Sequence, residues 1–541
     1  MSGNFFTGMA GRHFQGALPE ILKTQRWFGG KARTVADVQV ADRIPIPGED
    51  TEIILMLIDV QYEDGGQETY ALPAALAFGE EAARIVRETP RAILFHVAAD
   101  DTNAHQGGVL YDGTWNPTGM HRLLLAMQQG AQFTGEAGIL QTSSTAALKD
   151  MVPPADDRAF RMLSAEQSNT SVAFGRNFAV FKLYRRVQVG VNPDWEIGRY
   201  LTSRAFPYSP AVGGAVEYLR SGETATLGLL QAFVPNNGDA WSATLNQLDG
   251  FLTRVSAQSP AIDPNEGKGC MLWELADGGL SEAGRELIGP ALDAAVSLGR
   301  RTAALHLTLG AGTSDPHFVP EPMTLEYRQA RCQSMLQSWK QAMRLLKPFS
   351  LQGMAMREEE ERLLAHESSV LGLFRSLLDI EEGGRRIRCH GDYHLGQVLW
   401  TGSGYIITDF EGEPARPLSE RRLKHSPLYD VAGMLRSFEY AAWTALANRQ
   451  PREMRHELEP WTTYWSRWVR ARFLGEYLSQ IHHAPFWPES PKDAARLLMV
   501  HQLEKAVYEL GYELNNRPEW VAIPLKGINE LVRMSEAQAA A

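Results

Sequence analysis

The residues from Cys389 to Glu413, CHGDYHLGQVLWTGSGYIITDFEGE, put two aspartates at a spacing that phosphoryl transfer can use. Asp392 falls in a loop after a short apolar stretch. Asp409 ends the next apolar strand, Tyr405–Thr408, which follows a tight turn at Thr401–Gly404. A hairpin of this kind sets two carboxylates at one concave site. One can accept a proton from a hydroxyl, and the other can hold a metal on nucleotide phosphates. The pattern His390-Gly391-Asp392 followed by Gln397 fits the catalytic-loop form H-x-D-x-x-x-x-N, with Gln for the final Asn. Gln is one methylene longer and still offers a neutral oxygen to a hard cation. Asp409-Phe410-Glu411 stands in the D-F-G place, with Glu for Gly. The alternative, a solvated turn with two incidental acids, leaves unexplained why matching elements precede it in order.

Those elements must position a cation against the phosphates. Phe178–Tyr184, FAVFKLY, reads as a strand, and Lys182 breaks its apolar pattern. Asn192-Pro193-Asp194 reads as a helix start. Glu196 follows in the first turn, fourteen residues beyond Lys182, and is the expected partner of that lysine. Two solvated surface charges are the competing reading. Ser164–Gly175, SAEQSNTSVAFG, takes the place of a phosphate-covering loop without being glycine-rich. Gln167, Ser168, Asn169, Thr170 and Ser171 would supply hydroxyl, amide and backbone donors there. Leu229–Val234 reads as the next strand before Pro235-Asn236-Asn237-Gly238. The backbone at Gln231, Phe233 and Val234 would form a hinge meeting an adenine.

The chain has 541 residues, enough for two to four domains, and 44% hydrophobic residues, as in ordinary globular proteins. Its net charge of −11 disfavours a nucleic-acid partner, whose affinity comes from Lys and Arg at phosphates. Cys270, Cys332 and Cys389 form no metal pattern and no disulfide framework. The N-terminus lacks a secretory pattern, and no run of eighteen apolar residues occurs, so the expectation is a cytoplasmic protein with no membrane partner. Three regions are expected: 1–98, an α+β unit; 99–235, a nucleotide lobe; and 236–541, mostly helical. In the first, Ile53–Tyr62 and Glu68–Leu72 flank an Asp64-Gly65-Gly66 turn, and Ala92–Val97 is a further strand. Arg26–Lys31, RWFGGK, is read as an aromatic anchor for that unit's own core. Gly107–Trp115 is expected to be a hairpin turning at Asp112-Gly113. In the third, Leu292–Leu309 has helical spacing, and its His306 is read as a packed rather than ligating histidine.

The ordered set SNTSVAFG, Lys182, Glu196, HGDYHLGQ, DFEGEP and SPLYDVAGMLRSFEYA resembles the bacterial maltokinases, members of the aminoglycoside-phosphotransferase-like kinases. RWFGGK and residues 504–525 extend the likeness over nearly the whole chain. It is weakest at about 240–350, where this sequence is longer than compact members. The resemblance implies an α+β, two-lobed protein-kinase-like fold, with an N-terminal α+β cap subdomain and a large helical C-lobe. It implies that Asp392 is the base toward a sugar's anomeric hydroxyl and that Gln397 and Asp409 hold Mg²⁺. Lys182 would contact ATP, Glu196 would orient it, and Asp430 would brace the catalytic loop. It makes the C-terminal helix the sugar-contact candidate, through Lys505, Tyr508, Glu509 and Tyr512 at helical spacing, with Arg517 at the helix end. His394, Arg436 and Tyr440 join them. The implied reaction turns maltose and ATP into maltose 1-phosphate and ADP, feeding α-glucan synthesis, with trehalose synthase as a possible associate. A kinase for glucosamine or an aminoglycoside, and a non-catalytic pseudokinase scaffold, stay open as alternatives.

Overall fold

The computed structural model describes all residues except 1–5, 7–8, 48–51, 99–106, 155–156, 158, 164–167, 259, 348–353, 451–453 and 541. The chain divides into two compact units. The first is Met1–Pro235 with Pro417–Ser419; the second is Asn236–Arg416 with Glu420–Ala541. The first holds two antiparallel sheets and the second is mainly helical, which is the expected α+β class.

In the first unit, β1 (Val35–Ile46), β2 (Ile53–Tyr62), β3 (Gln67–Phe78), β4 (Ile93–Val97) and β5 (Gly108–Asp112) form one sheet in the order β1-β2-β3-β5-β4. The β2–β3 turn lies at Asp64-Gly65-Gly66, and Gly65 has φ +84°, a conformation that glycine adopts without strain. Strand β2 is buried along almost its whole length because both of its faces are covered. Ile54, Met56 and Ile58 face a core shared with Phe14, Leu18 and Leu22 of the Met9–Thr24 helix. Ile53, Leu55 and Leu57 face a second core, completed by Leu140, Phe181, Val216 and Leu227. The alternation of side chains along a strand thus sorts one apolar run into two cores. Trp27 and Phe28 pack on Tyr70 in the first of these, so RWFGGK anchors its own unit as expected.

The second sheet adds β6 (Gln132–Thr134), β7 (Ile139–Ser144), β8 (Phe160–Leu163), β9 (Asn169–Phe174), β10 (Ala179–Tyr184), β12 (Val212–Arg220) and β13 (Glu223–Ala232), in the order β6-β7-β12-β13-β10-β9-β8. The two-residue β11 (Arg186–Val187) pairs with β3. One local expectation is corrected. Gly107–Trp115 is not a hairpin: β5 ends at Asp112, whose carboxylate accepts the Thr114 N–H at 2.9 Å, and a 3₁₀ turn leads into the Pro117–Gln129 helix. Asn116 caps that helix and Pro117 starts it, so helix-start chemistry outweighs the Asp-Gly turn signal. In addition, β5 belongs to the cap's own sheet, and the core containing Leu55 includes Phe181 and Leu183. The 98/99 boundary is therefore not a break in packing.

In the second unit, the long helices Ala240–Ala257, Pro290–Leu309, Leu325–Leu346, Leu428–Ala447, Met454–Ile481 and Pro491–Asn516 accompany a short hairpin, Val398–Trp400 with Tyr405–Ile407, which packs against the first two of them. Among the described residues, no helix is long and apolar enough to cross a membrane.

Candidate active site

Lys182 lies on β10, in register with Ser171 of β9 and Leu229 of β13, and is almost fully buried. A buried ammonium needs a carboxylate. Asp194 Oδ2 stands 3.5 Å from Lys182 Nζ and also accepts the Tyr184 hydroxyl at 3.0 Å. Asp194 sits in the first turn of the Pro193–Ser203 helix, whose N-cap Asn192 accepts the Asp194 N–H at 2.9 Å. Sequence reasoning chose Glu196 as the partner. Glu196 is buried two residues further along the same turn, and Asp194 was read only as a helix-start acid. The period of a strand and the length of the connection bring the helix start, with both Asp194 and Glu196 in its first turn, to the lysine.

The expected phosphate loop is shorter than the reading to Gly175 required. Asn169, Thr170 and Ser171 are strand residues in β9, because the run Thr-Ser-Val-Ala-Phe pairs residue by residue with β10. Ser171 is buried, and the Thr170 hydroxyl accepts from Arg185 Nε at 2.8 Å. Ser168 is an exposed bend residue, and Gln167 lies outside the described residues. At the hinge, Gln231 pairs with Val180, and the Phe233 N–H donates to Phe178 O at 3.1 Å, so that donor is committed to the sheet. Val234 follows it.

In the second unit the loop carrying Asp392 is held from behind. Asp430, near the start of the Leu428–Ala447 helix, accepts the His390 N–H at 2.7 Å and the Gly391 N–H at 3.0 Å. His306 Nε2 meets the same carboxylate at 3.1 Å, while its Nδ1 meets the Tyr477 hydroxyl at 2.9 Å. Asp430 is fully buried. Burial pushes its pKa up, but His306 and the backbone N–H groups outweigh that and lower it. This is the bracing role expected of Asp430, and His306 is packed as expected. Gly433 lets the loop approach, since a Cβ there would lie 2.6 Å from Tyr393 O. His390 Nε2 meets Thr408 O at 2.9 Å and its ring lies on Phe410, tying the loop to the Asp409 segment.

Asp392 Oδ1 accepts from Lys505 Nζ at 3.1 Å. Burial alone would raise the Asp392 pKa; Lys505, then His394, reverse this and bring it down to about 2. Burial likewise opposes the charge on Lys505, but Asp392 and Glu413 raise its pKa overall. His394 Nδ1 accepts the Gly396 N–H at 3.1 Å, which places the proton of the neutral ring on Nε2, 3.8 Å from Asp392 Oδ2. Burial lowers the His394 pKa, which favours that neutral form. The Gln397 carbonyl accepts the Thr408 N–H at 2.9 Å, so Gln397 and Asp409 stand on paired backbone segments. Asp409 has φ +64°, a strained conformation for a residue with a Cβ. Two oxygen-bearing side chains on adjoining backbone fit a hard divalent cation such as Mg²⁺.

The Pro491–Asn516 helix brings Lys505, Tyr508, Glu509 and Tyr512 to one stripe. The Tyr508 and Tyr512 rings stack with centroids 6.4 Å apart, and Lys505 Nζ lies 4.9 Å from the Tyr508 ring. Arg436 does not present itself to an acceptor. It is buried between Glu509, at 2.7 Å, and Glu439, at 2.8 Å, and so positions Glu509 from within the bundle. Burial raises the Glu509 pKa against the pull of Arg436. Tyr440 donates to Glu513 at 3.2 Å, and Arg517 pairs with Glu513 at 2.8 Å. Sequence reasoning missed Glu413. It is buried, its Oε2 accepts from Arg416 Nε at 2.5 Å, and its Oε1 has no hydrogen-bond partner among the described residues. Glu413 acts on Lys505 through its charge, and it lies close enough to Tyr508 to raise that phenol's pKa through both charge and hydrogen bonding, although the contact falls short of a well-formed bond to Oε1. Its place in DFEGEP was visible; that one oxygen would be left over was not.

Taken by itself, the second unit offers an ionised carboxylate on a braced loop, with Gln397 and Asp409 on adjoining backbone, and the first unit offers a buried lysine on a strand; each is a residue type that phosphoryl transfer to a hydroxyl uses. Comparison with known proteins agrees with this chemistry. Residues 22–115 match the maltokinase N-terminal cap domain, and residues 239–468 match the phosphotransferase enzyme family. A glucosamine kinase of Mycolicibacterium smegmatis (strain ATCC 700084 / mc(2)155) is 26% identical over 377 residues, 68% of this chain and 78% of that protein. A glucosamine kinase of Streptacidiphilus jiangxiensis is 23% identical over 433 residues, 79% of this chain and 83% of that protein. The solved structure of a glucosamine kinase in complex with glucosamine, ADP and inorganic phosphate shares the fold with a TM-score of 0.61 at 19% identity, covering 95% of this chain and 98% of that one. In chain order, this protein thus carries a segment that matches the maltokinase N-terminal cap domain and a segment that matches the phosphotransferase enzyme family, a pairing consistent with a cap-bearing kinase of that kind.

Proposed function

We propose that this chain is an ATP-dependent kinase that phosphorylates a hydroxyl of a small sugar. The observation that carries the reading is Asp392, kept ionised by Lys505 on a loop clamped by Asp430. Lys182 holds nucleotide phosphate, with Asp194 and Glu196 on the adjoining helix turn. Gln397 and Asp409 are the residues that would hold Mg²⁺, which supplies charge neutralisation on the phosphates. The acceptor oxygen attacks the γ-phosphorus, its proton passes to Asp392, and the bond from the γ-phosphorus to the bridging oxygen breaks to release ADP. A carboxylate of pKa about 2 is a weak base. Its main work is therefore to orient the hydroxyl, and it takes the proton late, as suits a loose transition state.

Two acceptors have support from different observations. Glucosamine comes first: the relatives at 26% and 23% identity are glucosamine kinases, and the unpartnered Glu413 Oε1 can accept a hydrogen bond from an ammonium or hydroxyl. Maltose comes second: the cap match and the HLGQ and DFEGEP details favour it, and with it an association with trehalose synthase. ADP release with glucosamine, maltose, glucose and trehalose, followed by identification of the phosphorylated position, separates the two. No sugar-dependent release above the ATPase background would remove the sugar-kinase reading altogether.

A further inference from the structure

The second unit contains a cavity of about 370 Å³ that none of Asp392, Asp409, Lys505 or Tyr508 lines. That volume is within the range of small-molecule sites. One wall is the segment around Met271, Leu272 and Trp273, part of the 240–350 region that the proposed chemistry does not use. An adjoining wall includes Ser466, Arg467 and Arg470, on neighbouring turns of the Met454–Ile481 helix. Two features there are unusual. Arg467 bonds the Glu266 carbonyl at 2.8 Å but forms no ion pair with a carboxylate among the described residues, although Glu530 acts on it through space. In addition, three wall atoms are buried without a hydrogen-bond partner among the described residues: Ser466 Oγ, Arg470 Nε and Asn529 Oδ1. Ser466 is only 5% exposed. Buried polar atoms without partners are costly, and a ligand that reached several of them from this space would offset part of that cost.

The chemistry of the missing ligand follows from the atoms left over. Ser466 Oγ and Arg467, whose guanidinium bonds one carbonyl and no carboxylate among the described residues, offer donors that suit a phosphoryl group, while Arg470 is held by Gln502 and Glu439. Asn529 Oδ1 and the Glu530 carboxylate require donors, which sugar hydroxyls supply. Leu272 and Trp273 give an apolar face for ring carbons. Of the charged residues in the lining, six are Lys or Arg and four are Glu. Three of these acids are already engaged, Glu359 with Arg362, Glu439 with Arg436 and Arg470, and Glu536 with His366, and Lys526 pairs with Glu459; Lys268, Arg467 and Arg533 are then the lining cations without a carboxylate ion pair among the described residues. We infer that this cavity is a second binding site, for a phosphorylated monosaccharide, separate from the residues that would carry out phosphoryl transfer.

The inference does not rest on which sugar is phosphorylated, and calorimetric titration tests it directly. Glucose 1-phosphate, glucose 6-phosphate, glucosamine 6-phosphate and inorganic phosphate are titrated into the full chain saturated with ADP, and into the Asp392→Asn variant. At least one sugar phosphate should bind with a Kd below about 1 mM in both, at least about tenfold more tightly than inorganic phosphate. Arg467→Gln should weaken that binding by at least about tenfold, and so should Leu272→Trp, which fills the space from the partly exposed wall without touching the arginines. Both variants should keep the melting temperature and the basal turnover of the parent chain. Three results overturn the inference: no sugar phosphate binding at about 10 mM, binding unchanged in both variants, or inorganic phosphate binding as tightly as the sugars.

Discussion

The two units treat a buried lysine in opposite ways. In the first, Lys182 and Asp194 are sealed, with side chains only 7% and 4% exposed, beside the equally dry pair Arg185 and Asp112. In the second, Lys505 and Asp392 are 20% and 16% exposed. A sealed pair fixes a cation at one spot, because separating its members strands a charge in a low-dielectric interior. A pair open to water can exchange one partner for a substrate hydroxyl at smaller cost. The difference suits the proposed roles: a phosphate-facing cation should not move, whereas a base must be approached.

The largest expected effect breaks the open pair. Asp392→Ala should lower turnover by roughly 10²–10⁴-fold while nucleotide still binds, measured by ADP release and by nucleotide titration. Retention of most activity would reassign the base. Lys182→Met in the sealed pair should lower kcat/KM for ATP by about 10²–10³-fold, the usual cost of losing one charge-stabilising group. A change confined to the sugar KM would contradict the division of labour. Asp112→Ala tests sealing itself. It leaves Arg185 uncompensated and should cost about 3–5 kcal/mol of stability, read as a lower melting temperature and denaturation midpoint.

The smallest effect sharpens the comparison through pH. The folded pKa of Asp392 lies below the unfolded value of about 3.9. Its contribution to stability is therefore complete above that unfolded value and is lost as pH falls through about 2. Lys505→Met removes the main stabiliser of the charged form and leaves the effect of burial. The acidic limb of kcat/KM should then move to higher pH, with turnover at neutral pH changed far less than in Asp392→Ala. An acidic limb that stays in place would show that Lys505 does not set this ionisation.

Legibility followed sequence distance. The turn at Gly65, the helix start at Asn192-Pro193, the strand around Lys182 and the hairpin after Gln397 are local events and were readable from pattern. The limits of β9 were not, because Asn169, Thr170 and Ser171 look like a polar loop until their pairing with β10 is known. The 107–115 hairpin was misread because Asp112 uses its carboxylate on Thr114 and Arg185, choices invisible in an Asp-Gly pair. In the candidate site, Asp392, Gln397 and Asp409 are proposals made from spacing, and the structure sets them on one loop and the adjoining backbone. That Lys505 pairs with the base, that Arg436 serves Glu509, and that Glu413 keeps a free oxygen came only with the fold.

By itself, the amino-acid order determined the turn at Gly65, the strand around Lys182 and the helix start at Asn192, and placed one acid before and one after a short hairpin. Those features depend on φ preferences, alternation and capping within a few residues. Tertiary structure decided which charges meet. The partner of Asp392 lies 113 positions away, on a helix whose rotation is set by packing against its neighbours. Ionisation and exposure of a site are properties of such distant pairings, and no local pattern carries them.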